Sequence, residues 1–210
     1  MPNAILESVK DFNTITIFRH VFADMDAIGS QFGLKYYLES AYPDKKIYCL
    51  GSNCPVSQRN NVTMDEVDDG VVASSLAIVL DTSNAARIDD ERYKFAKKSI
   101  RIDHHVQVET ICDEEWIDDK ASATCELLAL YLQDNKVNIP VESALMLYLG
   151  LTADNIRFTT NNVRPATFDA AKYLFEQGVD VTKVEQLNFS KSIEDYRYET
   201  VVRNHTILNN

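Results

Sequence analysis

The chain has 210 residues, of which 45% are hydrophobic and 25% charged, and its formal net charge is −11. That composition fits one large globular domain or two small ones. The acidic balance excludes adhesion to long nucleic acid through a basic face, so a phosphate substrate would need bound metal to supply positive charge.

Thr14 to Phe18 is β-branched and apolar and predicts a buried strand. It leads into Arg19-His20-Val21-Phe22-Ala23-Asp24-Met25-Asp26-Ala27-Ile28-Gly29-Ser30, with a helix from about Met25 to Ser40. His20, Asp24 and Asp26 therefore fall on a strand-to-helix connection. Asp24 can equally be a helix N-cap. Lys45 to Gly51 predicts a second strand, and Gly51 to Val71 is polar and irregular, with an acidic run over Asp65, Glu66, Asp68 and Asp69. That run reads as a solvated face, a short helix or a loop beside the cleft.

Leu76 to Leu80 is continuously apolar, the pattern of a strand covered on both faces, and it stops at Asp81. A carboxylate there is poor packing and a good site. Arg87 follows, then an amphipathic helix over Asp89 to Lys98. A short strand, Ser99 to Ile102, delivers Asp103-His104-His105 to the rim where open α/β sheets bind ligands. Glu114 to Ile117 predicts another strand. Asp118 to Glu126 opens a helix running to about Gln133, in which Ser122 and Thr124 either donate to an anion or act as caps. Pro140 starts a helix that ends at Asp154, and helices are expected over Arg164 to Gln177, Val181 to Phe189 and Ser192 to Asn204.

Strands alternating with helical patterns predict an α/β fold: a mostly parallel sheet with crossover helices on both faces, followed by a helical C-terminal segment. Met1 to Phe12 has no apolar leader core, and no apolar run has the length to span a bilayer. Cys49, Cys54, Cys112 and Cys125 form no C-x-x-C pair. Reduced structural thiols in a cytoplasmic protein are expected.

A parallel sheet gathers the ends of its elements at one edge, which brings His20, Asp24, Asp26, Asp81, His104 and Asp154 together. Four carboxylates and two imidazoles suit manganese, magnesium, iron, cobalt or zinc. The four negative charges match two divalent cations, with Asp81 as the bridging candidate. Such a pair supplies an activated hydroxide and clamps a phosphoryl group. Asp81 and His105 are the expected catalytic residues, His105 contacting a phosphate oxygen or the leaving group. Asp103 would orient an imidazole from behind. Arg87 and Arg157 are the candidate cations for substrate phosphate. His205 reads as a surface residue.

Asp103-His104-His105, the His20 to Ser30 segment, Leu80-Asp81 and Gly150-Leu151-Thr152-Ala153-Asp154 resemble, in order and spacing, the motifs of the DHH phosphoesterase family. Trp116 to Leu127, Arg157-Phe158, Arg164 to Phe168 and Gly178-Val179-Asp180 are similar to its RecJ-like bacterial nanoRNase/pAp phosphatases. The resemblance implies two manganese ions held by the six residues above. It also implies hydrolysis of pAp, another nucleotide phosphate or the end of a very short oligonucleotide. No membrane is expected among the partners, and a homodimer is compatible with the sequence. Residues 1–210 are expected to form the catalytic N-terminal domain, without the glycine-rich, basic substrate-binding domain that such proteins add. Where relatives commonly carry Asp-Thr-Gly, this chain has Asp154-Asn155-Ile156, which adds bulk beside the site. A family II-type inorganic pyrophosphatase, or a non-catalytic domain that binds nucleotide or metal, are the alternative readings.

Overall fold

Thr14–Phe18, Lys46–Cys49, Leu76–Leu80, Lys98–Asp103 and Glu114–Ile117 form strands β1 to β5 of a computed structural model that describes residues 3–190 and 193–205. The sheet order is β2-β1-β3-β4-β5, and every pair is parallel. Parallel strands must be covered on both faces. β3 shows this directly: Leu76, Ile78 and Leu80 join the larger apolar cluster, while Ala77 and Val79 join a smaller one behind.

The helices are α1 (Asn3–Lys10), α2 (Met25–Ala41), α3 (Pro55–Arg59), α4 (Asp69–Ala73), α5 (Thr124–Asp134), α6 (Val141–Asp154), α7 (Pro165–Glu176), α8 (Val181–Phe189) and α9 (Ile193–Asn204). α2, α5 and α6 carry the larger cluster. The opposite face is thinner, closed by α4 and by 3₁₀ turns at Ala85–Arg87 and Glu91–Phe95, with Phe18, Val72 and Tyr93 packed inside. No helix of the described residues is long and apolar enough to cross a membrane. The four cysteines are free thiols.

The chain moves from β1 outward to β2 and from β3 outward to β4, so the order reverses between β1 and β3. Ligands bind α/β sheets at that crevice, beyond the strands' carboxyl ends. His20, Asp24 and Asp26 follow β1, and Asp81 follows β3.

Four expectations are corrected. Asp89 to Lys98 is not an amphipathic helix. Asp90 accepts from Arg92 N and from the Arg92 guanidinium, whose Nη1 also reaches Val67 O at 2.7 Å. Such local bonds compete with a helical ladder, and only a 3₁₀ turn survives. The helix after β5 begins at Thr124, because Ala121 N donates to Asp118 O at 3.0 Å in a preceding turn. Asp103 closes β4 instead of following it, and Pro140 is the N-cap of α6. Helix α1 was not foreseen, and Ser192 lies outside the described residues.

Two glycines let α6 approach its neighbours. A Cβ on Gly29 would sit 2.5 Å from Met146 O; one on Gly150 would collide with Cys125 Sγ and lie 3.0 Å from Asp26 Cα. Alanine normally gains about 1 kcal/mol over glycine inside a helix. At Gly150 overpacking of about 1–3 kcal/mol opposes it, and rigid backbone on one side lets the clash win. Gly150→Ala is expected to lower unfolding free energy by about 1–2 kcal/mol in urea titrations. An unchanged or raised midpoint would contradict this packing.

Candidate metal centre

The site begins where β1 runs out. His20 pairs with Ile88 in an antiparallel bridge, and Val21 N donates to Arg87 O at 2.7 Å, which ties this loop to the segment after β3. His20 Nδ1 faces Val21 O at 2.7 Å. A carbonyl only accepts, so Nδ1 carries the proton and Nε2 is the nitrogen offered to the site. Nε2 lies 3.4 Å from Asp81 Oδ2 and 3.7 Å from Asp24 Oδ2. Asp24 is also the N-cap of α2, accepting from Ala27 N through Oδ1 at 3.0 Å. One carboxylate thus serves both the cap and the site.

Asp26 lies in the first turn of α2. It accepts from Thr124 N at 2.6 Å and Cys125 N at 3.0 Å, the first amides of α5. A helix N-terminus favours an anion, and the anion received here is the protein's own carboxylate. Thr124 also donates through Oγ1 to Asp81 at 3.2 Å. Asp81 turns sharply out of β3 with φ of 54°, a left-handed conformation that aspartate tolerates better than most residues.

His104 repeats the logic of His20. Its Nδ1 faces Ala121 O at 3.3 Å, and its Nε2 lies 3.4 Å from both Asp81 Oδ1 and Asp154 Oδ2, and 3.9 Å from Asp26 Oδ2. Asp154 is the last residue of α6. Three sets of side chains bring ligand atoms within 4.8 Å of one another and can hold a metal ion: His20, Asp24 and Asp81; Asp26, His104 and Asp154; and Asp81, His104 and His105. All six residues expected as ligands are therefore brought together.

The electrostatics show what the cluster lacks. Burial disfavours charge on His20 and His104, yet the facing carboxylates outweigh it: Asp24 and Asp81 at His20, chiefly Asp81 and Asp26 at His104. Both pKa values rise to about 10. Burial, with Asp81 close by, pushes Asp26 well above the usual carboxylate range. Burial, with Asp81 and Asp24 adding to it, raises Asp154 to about 6. Asp81 goes the other way, because His104 and His20 overcome its burial. Protons here occupy positions that cations can take.

Behind the cluster, Arg101 and Asp103 share a face of β4 at the two-residue strand spacing, and both are fully buried. Arg101 Nη2 donates to Asp103 Oδ2 at 2.6 Å, and Asp103 Oδ1 receives His105 Nδ1 at 2.7 Å. Burial alone would raise the Asp103 pKa, but His105 and Arg101 lower it below the usual value. Nε2 of His105 has no protein partner among the described residues, and the side chain is 38% exposed.

The expected phosphate cations lie differently. Arg87 is exposed and has no ion pair among the described residues. Arg157 pairs with Glu185 at 2.9 Å and lies over the Phe189 ring. His205 is exposed.

Thr124, expected as an anion donor or a cap, donates to the carboxylates of Asp26 and Asp81. Two contributors were not expected from the sequence. Arg101 was announced by a charge in the middle of an otherwise apolar strand. Glu126, fully buried, accepts from Ser122 Oγ, Thr167 Oγ1 and Arg164 Nε at 2.7–2.8 Å, locking α5 to α7 beneath the site. A glutamate on the apolar side of a helix was its signal.

Residues 14–151 match the model of the DHH family, N-terminal domain. The chain belongs to the DHH family. It is 32% identical over 203 residues to a Mycoplasma pneumoniae protein named as an uncharacterized MG371 homolog, covering 95% of this chain and 62% of that one. It is 35% identical over 179 residues to the Bacillus subtilis bifunctional oligoribonuclease and PAP phosphatase NrnA, covering 84% and 57%. The chain thus spans about three fifths of the length of these relatives. An exopolyphosphatase-related protein from Bacteroides fragilis has the same fold, with a TM-score of 0.88 at 22% identity over 99% of this chain and 66% of that one.

The pKa shifts predict how the metal-free protein responds to pH. Stability from the raised histidines is complete below their unfolded value of about 6.5 and is lost as pH rises through about 10. Asp81, with its lowered pKa, gives stability above about 3.9 that is lost on acidification. In EDTA the melting temperature should therefore fall between pH 7 and 10. A divalent cation binds only deprotonated ligands, so the stabilisation it adds should grow over the same interval. Scanning calorimetry with and without manganese checks both signs.

Proposed function

We propose that residues 1–210 are the catalytic domain of a cytoplasmic, manganese-dependent phosphoesterase acting on very short oligoribonucleotides or nucleotide phosphates such as pAp. The placement of Asp81 carries this reading. Its Oδ2 lies 3.4 Å from His20 Nε2 and its Oδ1 3.4 Å from His104 Nε2, so one carboxylate serves two ligand sets. A carboxylate placed between two ligand sets would serve two neighbouring cations at once. His20, Asp24 and Asp81 would hold one ion, and Asp26, His104, Asp154 and Asp81 the other. The all-nitrogen-and-oxygen donor set suits manganese and excludes a soft metal. When bound, the pair supplies Lewis-acid charge for phosphoryl oxygens and acidifies water at neutral pH.

The protein's own groups do the rest. Asp103 accepts the His105 Nδ1 proton and fixes the ring, which leaves Nε2 to work on substrate. Water attacks phosphorus, the ester P–O bond breaks, the departing oxygen takes the Nε2 proton of a His105 imidazolium, and the proton given up by the attacking water restores that ring. Arg101 keeps Asp103 ionised and in place, a positioning role. Arg87 is the freer of the two candidate cations for phosphate. The substrate class draws support from the name of the Bacillus subtilis relative.

Manganese-supported turnover is expected on pAp and on dinucleotides, and Asp81→Ala should abolish it. His105→Ala should lower kcat by about 10²-fold or more, the usual contribution of a general acid, with metal binding retained in calorimetry. Hydrolysis of pyrophosphate alone would replace the substrate class, and no turnover on any of the three would leave a binding role. Asp103→Asn separates positioning from binding. The amide cannot hold the imidazole in the same tautomer, so kcat should fall about 10-fold or more with KM nearly constant. A rise in KM at constant kcat would remove Asp103 from this role.

A further inference from the structure

Beside the acidic cluster lies a cavity of about 640 Å³, lined by Val21, Phe22, Ala23, Asn53, Cys54 and Val56 among others. It sits at the same carboxyl rim of the sheet, on the β2 side. Val21, Phe22 and Ala23 are the residues that separate His20 from Asp24. The cavity therefore borders the loop that carries both ligands. Its volume falls within the range of about 300–1,000 Å³ usual for small-molecule sites.

The lining says which part of a substrate it takes. Arg19 borders it, but its Nη1 and Nη2 are engaged, donating to His20 O at 2.8 Å, Asp89 Oδ2 at 2.7 Å and Ser52 O at 2.5 Å, and its Nε is buried. No other cation lines it, so it is built for an uncharged group and not for the phosphate. Phe22 is 95% exposed and held at φ of 53°. That backbone region is strained for a bulky residue, and the ring stands free in solvent at the cavity's edge. Asn53 has its Oδ1 fixed by Met64 N at 3.0 Å, which orients its amide Nδ2. That group has no partner among the described residues and can donate to a ring nitrogen.

We propose that this cavity binds the nucleobase of a nucleotide substrate, with Phe22 stacking on the base and Asn53 donating to its edge. The assignment rests on the phosphoesterase reading above, since it deepens the substrate class of that site. It implies that this half of the cleft recognises base and not sugar phosphate alone.

Equilibrium binding with magnesium present tests it, using adenosine monophosphate and ribose 5-phosphate as probes. The wild-type chain should prefer the nucleotide at least about fivefold, the lower end of what base–aromatic stacking supplies. Phe22→Ala should erase most of that preference, and Phe22→Trp should restore it. Phe22 is exposed, so neither variant threatens the fold, and circular dichroism verifies this. The introduced indole should also be quenched by adenosine monophosphate and not by ribose 5-phosphate. A wild-type chain that binds both probes equally, or a preference that survives Phe22→Ala, overturns the assignment. Failure of the phosphoesterase reading looks different: no turnover with manganese, while quenching and base preference persist.

Discussion

Mutual repulsion among Asp24, Asp26, Asp81 and Asp154 is the constraint on which the rest of the structure depends. Asp26 and Asp81 are almost completely buried, with Asp154 partly buried and Asp24 exposed at the rim. Two unit charges about 4 Å apart repel by about 4 kcal/mol at an effective dielectric of 20. The fold meets this with fixed dipoles. The first amides of α5 face Asp26, the first turn of α2 faces Asp24, and Thr124 faces Asp81. Dipoles of that kind supply about 0.3–2 kcal/mol each, less than the repulsion. Mobile positive charge must supply the remainder, whether protons on His20 and His104 or metal ions.

The architecture follows from the same demand. Repelling groups on flexible loops would separate, so each is anchored to a rigid end. Asp81 terminates a central strand, Asp154 terminates α6, and Asp24 and Asp26 begin α2. α2 and α6 are in turn pressed together where Gly29 and Gly150 leave no side chain between them. The glycine contacts are therefore electrostatic devices as well as packing ones. They hold Asp154 near Asp26 against the field that would drive them apart.

What was legible in the sequence reflects where local pattern and tertiary structure agree. Thr14–Phe18, Leu76–Leu80 and Glu114–Ile117 match the expected strands because burial on a sheet imposes its own residue pattern. Asp81 and Asp154 stood out for the opposite reason, each a charge ending an apolar run, while His20, Asp24, Asp26 and His104 stood out by their place at the ends of elements. Asp89 to Lys98 misled because its periodicity is helical while Asp90 and Arg92 bond to each other and to Val67. Glu126 was missed because Arg164 and Thr167 are distant in sequence, and Arg101, although it stands at strand spacing from Asp103, also bonds to remote carbonyls. No spacing rule links Glu126 to Arg164 or Arg101 to the carbonyl of Ser83.

The segment after Asp154 shows how a local departure is absorbed. Ile156, Arg157 and Phe158 all have positive φ, at 47°, 57° and 64°, and none is glycine. A left-handed residue costs about 1–2 kcal/mol, so three in succession need support from outside the turn. Asn155 provides it from a fully buried position: its Oδ1 accepts from Phe158 N at 2.8 Å and its Nδ2 reaches Ser122 Oγ at 3.4 Å. Phe158 stacks on Phe168 with ring centroids 5.2 Å apart, and Arg157 is tied to Glu185 of α8. Ser122 in turn donates to Glu126, the residue that joins α5 to α7. The strained turn is therefore one edge of the frame that carries Asp154. Glycine at position 156 would relieve its backbone and remove the exposed isoleucine from the rim. The chain retains both the strain and the side chain, exposed two residues beyond Asp154.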